Sequence, residues 1–279
     1  MEQQRTERRL ITAEQQKRIE ESCFRSLALI GHNCEYLEQH FGRTGADEPT
    51  RQAVADINTA AVQLNRTLSE AITLLEFLRE DTKPQLYPVD LCELLRQVEA
   101  QADMIRAQLG VDIRLDCGGS TVCCVMADYR DAELLCLHLL SNALHASREG
   151  GSVSIALCRT ESGWQLTVTD DGCGLPGEDV QAALENHRSF LGGAQLGLLL
   201  CQECCRRMGW SLQLEPAPEK GTQAVVSIPL YAGESHPNGT VELHTDTEIE
   251  REQRRYHLRA MLVREMRTMP ERGNPEEDF

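Results

Sequence analysis

Apolar residues recur in steps of three and four through the first third of the chain. Leu27, Ile30, Cys34, Leu37 and Phe41 mark a heptad stripe, so residues 6–41 are expected as one long helix. Residues 42–49 interrupt it with two glycines, an Asp-Glu pair and Pro49. A second helix is expected over residues 50–80, where Val54, Ile57, Ala61, Leu64, Leu68, Ala71, Leu75 and Leu78 continue the same spacing. A short connection makes the two an antiparallel hairpin. Two helices are too thin to bury such long stripes, so a homodimeric four-helix bundle is the expected solution.

The pattern changes after a linker, residues 83–88, that contains two prolines. Residues 89–109 read as an amphipathic helix through Leu91, Leu94, Leu95, Val98 and Ile105. Residues 111–115 and 121–126 read as strands, and Ala127-Asp128 opens a helix containing His138-Leu139-Leu140-Ser141-Asn142-Ala143-Leu144-His145. Strict alternation at residues 152–157 and 164–169 predicts two more strands. A helix over 198–208 and closing strands over 210–214 and 223–230 complete the series. The fold class expected is therefore α+β: the hairpin, then a two-layer α/β sandwich rather than an alternating Rossmann chain. The expected domains are 1–82, 83–232 and a polar extension, 233–279. Within that extension Leu258, Met261, Leu262 and Met266 fall at helical spacing ahead of an acidic tail.

Composition narrows the classes. At 279 residues, 41% hydrophobic, the chain can bury a proper core, and 4% aromatic content suits aliphatic packing. A formal charge of -16 argues against nucleic acid or an anionic membrane as partner. No apolar run approaches the roughly 18 residues of a membrane span, and the opening residues are polar, so a cytoplasmic protein is expected. In that compartment the 12 cysteines are expected reduced. Cys201, Cys204 and Cys205 fall on the apolar face of a helix and have no second ligand pair for zinc, so they read as core thiols.

Two places carry candidate chemistry. Asp170-Asp171-Gly172-Cys173-Gly174 puts a carboxylate and two glycines at a strand end, where backbone can approach a flat ligand and the carboxylate can accept from an exocyclic amine. It lies between the Asn142 helix and a second glycine turn, Gly192-Gly193-Ala194-Gln195-Leu196-Gly197-Leu198. On the first helix His32 sits two residues past the stripe position Ile30 and so points outward. An exposed imidazole is a competent nitrogen nucleophile.

Residues 24–230 resemble the transmitter module of a sensor histidine kinase, with an ATPase domain of the gyrase, chaperone, kinase and MutL type. The resemblance rests on the helix motif His138–Ala143, the first glycine box Asp170–Gly174, the second Gly193–Leu198, and Gly221-Thr222 before the last strand. It implies ATP and Mg²⁺ as cofactors. Asp170 would accept from the adenine amine, Gly172 and Gly174 would shape that wall, and Thr222 and His145 would complete the ATP site. Asn142, with His138, would hold Mg²⁺. Gly193, Leu196, Gly197 and Leu198 would offer backbone amides to the phosphates, residues 175–191 would form the lid, and Arg188 would be its phosphate contact. His32 would take the γ-phosphoryl group and pass it to an aspartate on a response regulator receiver domain. No sensory domain is recognisable before the hairpin, so the input is expected from a separate sensor protein or from the short N-terminal helix itself.

Several positions depart from the family pattern. His138 stands where the family carries Asn, His145 where it carries a basic residue, and Gln195 where it carries Gly. Asn33 replaces the acid that normally follows the phosphoacceptor and cannot serve as its base; Glu35 is the nearest substitute. Tyr36 occupies the position where family members with phosphatase activity often have Thr or Asn. The alternative left open is a catalytically weak or inactive pseudokinase that keeps the nucleotide fold as a scaffold. An anti-sigma serine kinase of the same ATPase fold is disfavoured, because such proteins lack the hairpin.

Overall fold

The computed structural model describes residues 13–77, 83–103, 110–147, 150–172, 174, 196–230 and 252. The chain divides into two compact units, 1–72 and 73–279. The expected boundary at 82 lies outside the described residues, while the division itself falls inside a helix.

The first unit is helical. Helix α1 spans Ala13–Thr44 and α2 spans Glu48–Phe77, whose last turn belongs to the second unit. Between them, Gly45 takes a φ of 79° and its amide donates to Phe41 O at 2.9 Å, which ends α1 in a left-handed cap. Each heptad stripe is split. Leu27 and Cys34 on α1, and Val54 and Ala61 on α2, are buried at steps of seven. Ile30 and Leu37 on α1, and Ile57 and Leu64 on α2, also repeat at seven but remain 37–58% exposed.

The second unit is built on a five-stranded mixed sheet. Strand β1 (Tyr87–Asp90) is followed at once by α3 (Leu91–Asp103), then β2 (Asp112–Asp116) and β3 (Cys124–Ala127). Helix α4 (Tyr129–Ala146), β4 (Ser152–Arg159) and β5 (Gly163–Asp170) come next, then α5 (Leu196–Met208), β6 (Ser211–Pro216) and β7 (Thr222–Pro229). The sheet order is β2-β4-β5-β7-β6, antiparallel except for β2 and β4, while β1 and β3 form a separate antiparallel pair. The helices α3, α4 and α5 pack on β2, β5 and β6 respectively, giving the expected helix-on-sheet layers. Leu135, Leu140 and Leu144 of α4 and Leu200, Cys201, Cys204 and Cys205 of α5 join Ile155, Leu166 and Val226 in one core.

One expectation is corrected. Residues 87–90 are a strand, so Val89 does not open the helix and the linker does not extend through Pro88. Val89 pairs with Val125, and Asp90 ends the strand by accepting at Oδ1 from the amides of Cys92 (3.0 Å) and Cys123 (2.9 Å). Proline is tolerated because this is a two-stranded ribbon, in which Pro88 can face away from its partner. The expected helix at 248–268 and the tail beyond it lie outside the described residues, apart from Glu252 in a helical conformation.

Candidate active site

The strand end at Asp170 is where the second unit brings its candidate residues together. The Asp170 side chain is buried, and Oδ1 accepts from the amides of Gly172 at 2.9 Å and Thr222 at 3.2 Å. One carboxylate thus closes the β5 end on itself and fastens it to the start of β7, the neighbouring strand. Burial raises its pKa above the ordinary carboxylate value, and the two amides oppose that rise.

Two glycines make the approach possible. A Cβ on Gly172 would run into the carbonyl of Ala146, the last residue of α4. A Cβ on Gly221, whose φ is 96°, would run into the carbonyl of Asp170. Backbone therefore passes at contact distance on both sides of the carboxylate. The second aspartate of the doublet has a structural duty that the sequence did not disclose. Asp171 Oδ2 accepts from the amide (2.8 Å) and hydroxyl (3.2 Å) of Ser152 at the start of β4.

Helix α4 leads to the same corner. Asp128 caps it, its Oδ1 accepting from the amides of Arg130 (3.0 Å) and Asp131 (3.4 Å). Asn142 and His138 are four residues apart and so share one face of the helix. The Asn142 side chain is half-buried and forms no hydrogen bond with a described residue, whereas the His138 ring is buried. Nδ1 of His145 lies 2.7 Å from the Ser141 carbonyl, within its own helix. Helix α5 starts at Leu196, so Leu196, Gly197 and Leu198 occupy its first turn, where helix amides lack intrahelical acceptors. Arg188 and Gly193, with the lid at 175–191 and Gln195, lie outside the described residues.

A buried ion pair joins the two helices of the site. Arg207 Nε, in the last turn of α5, stands 2.7 Å from Asp131 Oδ2, in the first turn of α4, with side chains only 9% and 2% exposed. The same guanidinium lies 4.1 Å over the Phe77 ring, and Arg130 bonds Glu76 at 2.9 Å. Partners 76 residues apart leave no local signal, so the sequence reading missed them.

Residues 127–232 match the family described as histidine kinase-, DNA gyrase B-, and HSP90-like ATPase. The sensor histidine kinase ZraS of Klebsiella oxytoca is 27% identical over 206 residues, covering 73% of this chain and 44% of that protein. The adaptive-response sensory kinase SasA of a Synechococcus strain is 24% identical over 195 residues, covering 67% and 51%. Residues 127–232 thus carry an ATPase domain of that family, and the chain is similar to sensor histidine kinases over a longer stretch. Among solved structures, full-length ShkA in complex with AMPPNP shares the fold at a TM-score of 0.57 and 20% identity, over 78% of this chain and 46% of that one. Acinetobacter baumannii histidine kinase AdeS does so at 0.50 and 18%, over 75% and 97%. The chain spans about half or less of the length of the curated relatives it matches. Its ATPase portion holds Asp170, Gly172, Gly174, Thr222 and Asn142, while His32 is exposed on α1 of the other unit. No described helix is long and apolar enough to cross a membrane.

Proposed function

We propose that the chain is a homodimeric, cytoplasmic protein-histidine kinase that binds Mg-ATP, phosphorylates itself on His32 and passes the phosphoryl group to a receiver-domain aspartate. The observation that carries the nucleotide reading is the Asp170 corner. A buried carboxylate held at Oδ1 by two amides, with backbone walls that admit no Cβ, suits an amine-bearing planar ring donating to Oδ2. Gly174, with a φ of 76°, turns the chain out of that wall. The first-turn amides of α5 would face phosphate oxygens, as helix N-termini do. His145 and Thr222 flank the nucleotide, and Arg188 and Gly193 complete the phosphate contacts.

The donor set fits a hard cation. Mg²⁺ seeks oxygen, and the Asn142 carboxamide offers one that no described residue uses; His138 stands one turn earlier with a buried ring. When bound, the ion neutralises charge on the β- and γ-phosphates. His32 supplies the nucleophile: an imidazole nitrogen bonds to the γ-phosphorus as the bond to the ADP oxygen breaks. The proton on its other nitrogen is lost. Asn33 cannot take it, and the exposure of His32 on α1 leaves water free to do so.

The uncovered stripes Ile30, Leu37, Ile57 and Leu64 support dimerisation. Each has the seven-residue repeat of a packing seam and stays open in one copy. Titration with a fluorescent ATP analogue and Mg²⁺ tests the site: saturable binding competed by ATP is expected, and its absence in well-folded protein would remove the proposal. The departures at Asn33, His138, His145 and Gln195 are what the pseudokinase reading rests on, and the comparisons lend it no support.

A further inference from the structure

Three residues at the start of α4 hold the segment that leads into the ATPase portion. Asp128, whose Oδ1 caps the helix, accepts at Oδ2 from the amide of Gln85 at 2.9 Å. Arg130 bonds Glu76, and Asp131 bonds Arg207, whose guanidinium lies over the ring of Phe77. Glu76 and Phe77 end α2, in the part of that helix that belongs to the second unit. Phe77 is buried in the same core as Leu135 and Leu200, and Leu74 packs against that core. The last turn of α2 is thus built into the ATPase portion by an apolar anchor, a partly exposed ion pair and a cation over a ring.

Arg207 is the residue through which this turn bears on the nucleotide corner. Its Nε stands 2.7 Å from Asp131, which ties the last turn of α5 to the first turn of α4. Roughly three turns further along α4 stands Asn142, and roughly three turns back along α5 stand Leu196, Gly197 and Leu198. A helix carries a tilt at one end to the other, so the spacing of those two groups depends on the pair. Phe77 holds the plane of the guanidinium from 4.1 Å, and Glu76 holds Arg130, the neighbour of Asp131. We infer that the end of α2 is a regulatory element of the nucleotide site. Docked, it keeps α4 and α5 at the separation that lets Asn142 and the α5 amides act on one nucleotide; displaced, it weakens that binding. The inference rests on the nucleotide reading of the Asp170 corner. Because α2 is one helix from Glu48 to Phe77, a twist or pull on it arrives at this turn. Coupling is reciprocal, so bound nucleotide in turn strengthens the docking of residues 73–77.

The test measures the affinity of the full chain for a fluorescent ATP analogue with Mg²⁺, below the Tm of every variant. Phe77→Leu keeps apolar bulk in the core but takes the ring from Arg207, and Glu76→Arg sets two cations against each other. Each should weaken nucleotide binding about two- to fivefold, and Arg130→Glu added to Glu76→Arg should restore it. Hydrogen exchange read by mass spectrometry should show the amides of 73–77 slowed by nucleotide in the wild type and less so in Phe77→Leu. A turn that only completes the fold would lower Tm in these variants and leave affinity and that protection unchanged. Unchanged affinity in Phe77→Leu and Glu76→Arg, no rescue by Arg130→Glu, or exchange at 73–77 that ignores nucleotide would overturn the inference. A wild type that binds no nucleotide would instead remove the reading of the Asp170 corner, and the coupling with it.

Discussion

Replacing Arg207 with Met removes the cation that neutralises Asp131 and leaves that carboxylate buried without its partner. Both side chains are nearly excluded from solvent, so the partner's loss is not made good by water. Breaking a buried pair from one side costs about 3–5 kcal/mol. The stacking of the guanidinium 4.1 Å over Phe77 goes with it, adding roughly 1–2 kcal/mol before Met recovers part of the packing. For a unit of this size the pair term alone lowers Tm by roughly 6–20 °C. The pH dependence identifies the cause. Burial already holds Asp131 above the ordinary carboxylate value, and the hydrogen bond and charge of Arg207 work against that rise. Without Arg207 the folded-state pKa moves further up. A carboxyl group raised on folding favours the fold fully below its unfolded pKa of about 3.9, and that advantage is lost as pH rises through the folded value. The deficit of Arg207→Met against wild type should therefore be largest at neutral pH and shrink on acidification, and Asp131→Asn added to it should restore stability. Urea unfolding of the three proteins from pH 5 to pH 8 measures this. A deficit under about 1 kcal/mol, or one that ignores pH and Asp131→Asn, would refute the reasoning.

Gly172→Ala places a methyl group against the Ala146 carbonyl, so the corner must open; a stability loss of about 1–3 kcal/mol with at least tenfold weaker ATP binding is expected by calorimetry. Asp170→Asn should raise Tm or leave it unchanged at pH 7, because an ionised carboxylate raised by burial opposes folding there, yet it should weaken nucleotide binding at least tenfold. For the same reason wild-type affinity should begin to fall on acidification at a higher pH than an ordinary aspartate would give. Ile57→Glu with Leu64→Glu, on the uncovered stripe of α2, should convert a dimer to monomer by light scattering while leaving the Tm of the ATPase portion unchanged.

The parts of the fold that were legible in the sequence are those set by local periodicity. The alternation Val153, Ile155, Leu157 placed β4 and its start, though the strand runs two residues further, and the helix expected to open at Ala127-Asp128 begins at Tyr129, with Asp128 as its cap. Strand β1 was hidden because four residues containing a proline carry too little pattern, and only pairing with β3 makes them a strand. At the site, Asp170, Gly172 and Thr222 were named from their boxes, and the structure brings them within hydrogen-bonding reach. The duties of Asp171 and of the Asp131–Arg207 pair were not legible. They depend on contacts across 19 and 76 residues that no spacing rule encodes. The split of the heptad stripes was likewise invisible, since Leu27 and Ile30 look alike until burial separates them.

The most direct test of the account is transfer of label from γ-labelled ATP, with Mg²⁺, to the purified chain and to His32→Ala. The account predicts acid-labile, base-stable label on the wild type, none on His32→Ala, and an unchanged thermal shift with ATP in the variant. Label that survives in His32→Ala, or its absence from wild-type protein that binds ATP, would contradict it.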